Sequence, residues 1–158
     1  DKSSFEQARP PRGQGRVMSF PPVTNAHQIG RVGELLAQSI LEQYVKTARV
    51  NHDGFDLLIF DDQGESYRVE VKSASKSADD AGLRYKFMTC TGSKVKKAIT
   101  HDDTDLVCYV ALDIRRVVIK CVTSITKKRT TLKASEFYVQ EDLQLDDALD
   151  DVRNRRDG

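Results

Sequence analysis

The residues best suited to chemistry lie in two short stretches within residues 54–76. Residues 55–60 form an apolar run, residues 66–73 alternate polar and apolar side chains, and turn-forming residues 61–65 separate them. This pattern predicts a β-hairpin. Because side chains alternate between the two faces of a strand, Arg68, Glu70 and Lys72 are expected to share one face.

The length of the hairpin loop predicts that two carboxylates face each other. If residues 61–65 form the loop, Phe60 pairs with Ser66 and Asp56 falls directly opposite Glu70, with Cβ atoms about 4.5–5.5 Å apart. Two carboxylates this close repel each other unless a proton or a cation lies between them. A divalent cation with oxygen ligands is the simplest way to neutralise both. The alternative is that these charges simply line the wet face of a half-solvated strand.

A third carboxylate, Glu34, lies on a helix predicted over residues 29–47, with Asn25 as a candidate N-cap. Glu34 falls at the flank of the apolar stripe, away from the polar face of this helix. A carboxylate held against a core needs a partner or a cation, unless it reaches solvent at the edge of the stripe. The stripe itself consists of Ile29, Val32, Leu36, Ile40 and Tyr44, and it is extended on one side by Gly30, Ala37, Leu41, Val45 and Ala48.

The remaining pattern predicts an α/β or α+β fold with a mixed central sheet flanked by helices. We expect a flexible arm at residues 1–27, a domain at 28–137, and an acidic helix or tail at 138–158. The further predicted elements are a short strand at 49–52, a strand at 84–91, a helix or loop at 92–100, an apolar hairpin at 105–113 and 117–123, a basic loop or edge strand at 124–133, and a weak helical stripe at 135–152.

Composition limits the class of protein. The 158 residues are 39% hydrophobic and 31% charged, which suits a globular domain without a membrane partner. There is no apolar run of the about 20 residues needed to span a bilayer. Cys108 and Cys121 lie in apolar strand-like runs, which favours reduced thiols and a cytoplasmic setting. The few, scattered His and Cys residues argue against a zinc site.

Basic residues are concentrated in the middle of the chain although the net charge is only +1. Such a distribution permits a polyanion-binding surface, and backbone phosphate is the expected contact. The alternative is a solvated charged face. The candidate nucleic-acid-binding residues are Lys94, Lys96, Lys97, Lys127, Lys128 and Arg129.

The order and spacing of these motifs resemble the PD-(D/E)XK nuclease superfamily, and in detail its branch of intron-associated homing endonucleases and phage endonucleases. The shared pattern runs GxxGE on a helix, then a strand Asp, then VxVK followed by Ser or Thr, and later an Asp before an apolar strand. Here it corresponds to Gly30 with Gly33-Glu34, Asp56, residues 69–73 (VEVKS), and Asp105. Phe55 stands where the family name has Pro. Glu70 stands where homing relatives often have Gln, which keeps a resolvase, repair or restriction role open.

The resemblance implies a set of roles for these residues. Asp56 and Glu70 would ligate Mg²⁺, for which Mn²⁺ would substitute, with the Val71 carbonyl as a further ligand. Glu34 would act through water or a second metal. Lys72 would position or activate the attacking water and stabilise the charge on phosphate. These roles describe a metal-dependent endodeoxyribonuclease.

The sequence therefore predicts a Mg²⁺-dependent DNA endonuclease that acts through metal-activated water on double-stranded or branched DNA. A homodimer or higher homo-oligomer is expected, because one small domain has one active centre and duplex cleavage needs two. Within the nuclease class the alternative is a Holliday-junction resolvase or repair nuclease. Outside it, the alternatives are a non-catalytic nucleic-acid-binding module on the same fold and an unrelated α+β domain.

Overall fold

A computed structural model describes residues 24–50, 54–92 and 94–158. The elements are α1 (Ala26–Leu41), β1 (Lys46–Arg49), β2 (Leu57–Phe60), β3 (Ser66–Ala74), β4 (Arg84–Met88), β5 (Cys90–Thr91), β6 (Lys97–Ala98), β7 (Leu106–Ala111), β8 (Arg116–Cys121), β9 (Arg129–Lys133) and α2 (Glu141–Asp157). A central five-stranded sheet has the order β1-β2-β3-β7-β8, in which only β3 and β7 are parallel neighbours. The predicted mixed sheet flanked by helices is confirmed.

The sheet buries different layers on its two faces. Helices α1 and α2 cover the first face through apolar residues such as Ile40, Leu41 and Leu149. The second face is covered over β7 and β8 by a separate two-stranded ribbon, β4–β9, whose Tyr85 and Phe87 pack inward. The same second face continues onto β3, where it carries Glu70 and Lys72 beside β7.

Helix α1 begins as predicted but ends earlier. Asn25 Oδ1 accepts the N–H groups of His27 and Gln28, so the predicted N-cap is confirmed. The predicted end at Thr47 is wrong, because the helix ends at Leu41 and Thr47 lies in β1. The turn from α1 into β1 is stabilised by the Glu42 carboxylate, which accepts hydrogen bonds from the Thr47 N–H and hydroxyl.

The buried face of α1 coincides with only part of the predicted apolar face. Its buried residues are Gly33, Ala37, Ile40 and Leu41, whereas Val32 is 39% exposed. The reason is that two small residues, Gly33 and Ala37, let the helix approach the sheet closely. The contact with the sheet therefore uses Ala37 and Leu41 from the predicted extension of the stripe and Ile40 from the stripe itself.

Four further predictions are corrected or lie partly outside the described residues. Residues 84–91 form two strands in different sheets. Of the helix or loop predicted for 92–100, the described residues have no helix and include the short strand β6, and residue 93 is not described. The first strand occupies Lys46–Arg49, and residues 51–53 of the predicted 49–52 strand are not described. Residues 1–23 of the predicted arm lie outside the described ranges. Across the described residues, no helix is both long and apolar enough to cross a membrane.

Helix α2 is docked on the edge of the sheet. The Gln144 Oε1 accepts the Ile119 N–H at 2.8 Å, and its Nε2 donates to the Val117 carbonyl at 3.3 Å. These bonds satisfy part of the open edge of β8. Of the two alternatives for the chain end, a docked helix or a frayed tail, the structure has the docked helix over Glu141–Asp157.

The far end of α2 is held by a buried carboxylate, Asp105. Its oxygens lie 3.2 Å from Arg68 Nε, 3.3 Å from Arg155 Nη2 and 3.4 Å from Arg156 Nη2. Burial alone would raise the pKa of Asp105, but hydrogen bonds from Arg68 and the nearby guanidinium charges outweigh it and lower the pKa. The ionised form is therefore the one that stabilises the fold.

We expect Asp105→Asn to destabilise the protein by about 3–5 kcal/mol, because three guanidinium groups lose their shared counter-charge. Because the folded pKa of Asp105 is lowered, its contribution is present above the unfolded pKa and is lost as pH falls through the folded pKa. Urea unfolding at a series of acidic pH values measures both effects. The neighbouring Asp102→Asn is the control, since that carboxylate is 87% exposed; equal losses in both variants would contradict the role of Asp105.

Candidate active site

The predicted hairpin register is confirmed. Strands β2 and β3 pair with Phe60 opposite Ser66 and Leu57 opposite Val69, so Asp56, one residue before β2, is placed opposite Glu70. The five-residue loop closes through the Asp61 N–H, which donates to the Glu65 carbonyl. Alternation along β3 then fixes which face each charged side chain occupies.

Asp56 and Glu70 form a close carboxylate pair. The Val71 N–H donates to Asp56 Oδ2 at 2.8 Å, which holds the Asp56 carboxylate against β3. Burial, a hydrogen bond shared with Asp56 and the charge of Asp56 together raise the pKa of Glu70 to about 9, against a smaller opposing effect of Lys72. Near neutral pH and without a bound cation, this pair therefore holds a proton.

Lys72 supplies the positive charge beside this pair. Its Nζ lies 3.9 Å from Glu70 Oε2, and the two side chains are 24% and 16% exposed. Lys72 stands on β3 opposite Tyr109 of β7. Because both neighbouring strands are hydrogen-bonded to β3, the ammonium group is attached to a rigid part of the sheet.

Glu34 approaches the pair but has its own partner. Its Oε1 lies 3.4 Å from Arg49 Nη2 of β1. Burial raises the pKa of Glu34, and the charge of Asp56 raises it further, while Arg49 lowers it. Glu34 is therefore within electrostatic reach of Asp56, and its carboxylate is hydrogen-bonded to a guanidinium group.

The structure brings together Asp56, Glu70 and Lys72, with Glu34 alongside. Among the residues it describes, no group of three or more His, Cys, Asp or Glu side chains is arranged to hold a metal ion. Sequence reasoning missed Arg49, the partner of Glu34. Arg49 comes close to Glu34 because β1 pairs with β2, which sets Arg49 opposite Leu57, the residue next to Asp56. No local sequence signal indicates that pairing.

Gly33 positions Glu34. A Cβ on Gly33 would lie 1.7 Å from Ser73 Oγ, whereas one on Gly30 would meet nothing within 4 Å. Ser73 follows Lys72 on β3, so the glycine allows α1 to touch the strand that carries the site. A glycine directly before Glu34 therefore has a structural reason. It lets α1 approach β3 closely, which directs Glu34 towards Asp56.

We expect Gly33→Val to destabilise the protein strongly, because a branched side chain at this contact would force α1 away from β3. Gly30→Ala is the matched control on the same helix, and it should stabilise the protein by about 0.5–1 kcal/mol, since alanine favours the helix and has room. Thermal unfolding of both variants tests this. A Gly33→Val variant as stable as wild type would show that the close contact is unimportant.

The two predicted basic clusters lie at the same end of the β4–β9 ribbon. The Thr89 N–H donates to the Lys128 carbonyl and its hydroxyl to the Lys127 carbonyl, both at 2.8 Å. The Thr89 carbonyl accepts from Ile99, just after β6. The six predicted side chains, Lys94, Lys96, Lys97, Lys127, Lys128 and Arg129, are all exposed.

Comparison with known proteins places the fold. No family model matches the chain, and no curated protein matches its sequence. Among solved structures the chain is similar to a bacterial homing endonuclease, I-Ssp6803I, with a TM-score of 0.57 and 17% identity over 74% of this chain and 84% of that chain. The chain therefore has a nuclease-like fold: a mixed α+β domain built on a central mixed sheet.

Proposed function

We propose that this chain is a Mg²⁺-dependent DNA endonuclease of the PD-(D/E)XK kind, with Asp56, Glu70 and Lys72 as its central groups. The observation that carries the proposal is the pairing of Asp56 with Glu70, both partly buried, with Lys72 Nζ 3.9 Å from Glu70. Burying two carboxylates side by side is unfavourable for folding, and that arrangement is typical of functional sites. The fold agrees with this function.

The donor set fits a divalent cation. Asp56 and Glu70 offer carboxylate oxygens at one place, and the raised pKa of Glu70 means that the pair needs a proton or a cation. Oxygen donors in small number suit Mg²⁺, which keeps several of its waters. Bound there, Mg²⁺ would supply a water of lowered pKa and a positive charge beside the scissile phosphate. The Val71 carbonyl is a proposed further ligand.

The residues around the proposed cation site have separate roles in orienting the reacting groups. The Val71 N–H fixes the orientation of the Asp56 carboxylate. Lys72, drawn towards Glu70, can contact a phosphate oxygen or orient an attacking water on the same face of β3. Glu34 can orient a water beside Asp56, and the Arg49 guanidinium paired with it lowers the pKa of Glu34 against the larger effects of burial and of the Asp56 charge, which raise it.

DNA is the proposed substrate, either double-stranded or branched. The structural neighbour is a bacterial homing endonuclease, and exposed lysines and arginines lie on the β4–β9 ribbon, which packs on the same face of the sheet as Lys72. We propose cleavage by a homodimer or a higher homo-oligomer, because each chain contributes a single site. Glu70 in place of Gln leaves a junction-resolving or repair role within the same chemistry.

Incubation of the purified chain with supercoiled plasmid and with branched DNA tests this proposal. We expect nicked or linear products with Mg²⁺ or Mn²⁺ and none with EDTA. A preparation that binds DNA but cuts no duplex, branched or single-stranded substrate with either metal would contradict hydrolysis.

The second candidate is a non-catalytic DNA-binding module on the same fold. The specific observation in its favour is that Glu34 is paired with Arg49, so that within the described ranges the close group consists of two carboxylates. Binding without cleavage in the experiment above would favour this candidate.

A further inference from the structure

The outer face of the β4–β9 ribbon carries positive charge with no acidic side chain in it. The inner side chains Tyr85, Phe87 and Leu132 are buried, so the alternate residues must point to solvent. All of these alternate residues are exposed. The outer face consists of Arg84, Lys86 and Met88 on β4 and Arg129, Thr131 and Lys133 on β9.

The pairing of the two strands brings like charges together. Arg84 lies directly opposite Lys133, and Met88 lies opposite Arg129. Like charges directly opposite each other on a sheet are destabilising. Within the described part of the chain, none of the four cationic side chains of this face lies within ion-pair distance of an acid. The fold therefore maintains a repulsion that a bound polyanion would relieve.

The ribbon is held rigidly on the sheet that carries the candidate active site. Phe87 packs edge-on against Tyr109, with ring centroids 4.9 Å apart, and Tyr85 packs against Phe137 at 5.0 Å. Tyr109 is the residue opposite Lys72 in the sheet. The ribbon also contacts β3 directly. The orientation of its outer face relative to Lys72 is thus fixed by buried aromatic contacts.

We infer that the outer face of the β4–β9 ribbon, which was not among the nucleic-acid contacts predicted from sequence apart from Arg129, is a binding surface for duplex DNA. The inference rests on the proposed function, which makes DNA the polyanion. Five residues per strand extend about 17 Å, and that length of duplex carries about ten phosphate charges. A two-stranded ribbon also has the width that the major groove admits. Exposed Met88 provides an apolar group among these cations.

The salt dependence of binding measures the contacts directly. We compare wild type, Lys86→Gln, Arg84→Gln/Lys86→Gln and the control Lys46→Gln, all as full chains, on a labelled 30-base-pair duplex in EDTA. Lys46 is exposed on β1, the edge strand at the other end of the central sheet from β8. The slope of log K against log salt should fall by about 0.9 for the single ribbon variant and about 1.8 for the double variant, and remain unchanged for the control. Thermal unfolding confirms that each variant is folded.

The outcomes separate this inference from the proposed hydrolysis. Ribbon variants with the wild-type slope would overturn the inference, even if the wild type cuts DNA with Mg²⁺. A ribbon-dependent slope in a protein that never cuts DNA would support the inference and overturn the proposed hydrolysis. A wild type that binds no duplex would overturn the inference, and the cleavage experiment on branched DNA would then decide the proposed hydrolysis.

Discussion

Lys72→Ala should lower the rate of Mg²⁺-dependent DNA cleavage by at least about 100-fold and change DNA affinity by less than about twofold. Removing one preorganised charge that stabilises a transition state typically has an effect of this size. Affinity should be nearly unchanged, because it depends on many phosphate contacts and Lys72 is only one cation among them. Single-turnover cleavage of supercoiled plasmid and equilibrium binding of a labelled duplex measure the two quantities.

Two further variants make this result specific. Lys46→Ala removes the same charge from an exposed strand position outside the site and should leave the rate unchanged. Lys72→Arg keeps the charge but replaces a compact ammonium group with a planar fork, so we expect it to recover only part of the rate. Full activity of Lys72→Ala would exclude Lys72 from the reaction.

The stability of the metal-free protein should fall as pH rises, and Mg²⁺ should reverse that loss. The pKa of Glu70 is raised from an ordinary value of 4.5 to about 9, so between these values the folded chain keeps a proton that the unfolded chain has released. Stability is then fully present below the unfolded pKa and declines up to the folded one, by up to about 1.4 kcal/mol per pH unit. A cation that replaces the proton should stabilise the protein more at pH 8 than at pH 5.

Asp56→Asn tests the origin of this pH dependence. The substitution removes the charge that opposes ionisation of Glu70, so the decline in stability should become shallower and the stabilisation by Mg²⁺ should disappear. Asp62→Asn, in the exposed hairpin loop, removes an equivalent charge away from the site and should behave as wild type. Urea unfolding with and without Mg²⁺ at several pH values is the measurement. The same pH profile in wild type and Asp56→Asn would contradict the coupling.

The local sequence pattern was sufficient to predict that Asp56 and Glu70 face each other at the centre of the candidate site. Alternation along β3 and a five-residue loop fix the register, so the facing of Asp56 and Glu70 follows from residues that are close in sequence. The end of α1 could not be predicted in the same way. Helical periodicity continues through Tyr44 and Val45, but hydrogen bonds from Thr47 to Glu42 turn the chain into β1.

Long-range pairing determined the rest. Arg49 reaches Glu34 because β1 pairs with β2, and Arg84 faces Lys133 because β4 pairs with β9 across about fifty residues of chain. Neither strand pairing is indicated by a turn motif or by the length of the connecting segment. The basic face of the β4–β9 ribbon and the pairing of Glu34 with Arg49 therefore depend on the folded structure, whereas the β2–β3 hairpin can be predicted from the sequence.

Equilibrium binding of Mn²⁺, followed by the electron paramagnetic resonance signal of the free ion, tests most directly whether the Asp56–Glu70 pair is a metal centre. We predict that wild type binds Mn²⁺ with release of about one proton near neutral pH, because Glu70 must ionise to act as a ligand. Asp56→Asn should lose this binding, and Asp62→Asn should retain it. Equal binding by wild type and Asp56→Asn, or none by wild type, would contradict the account.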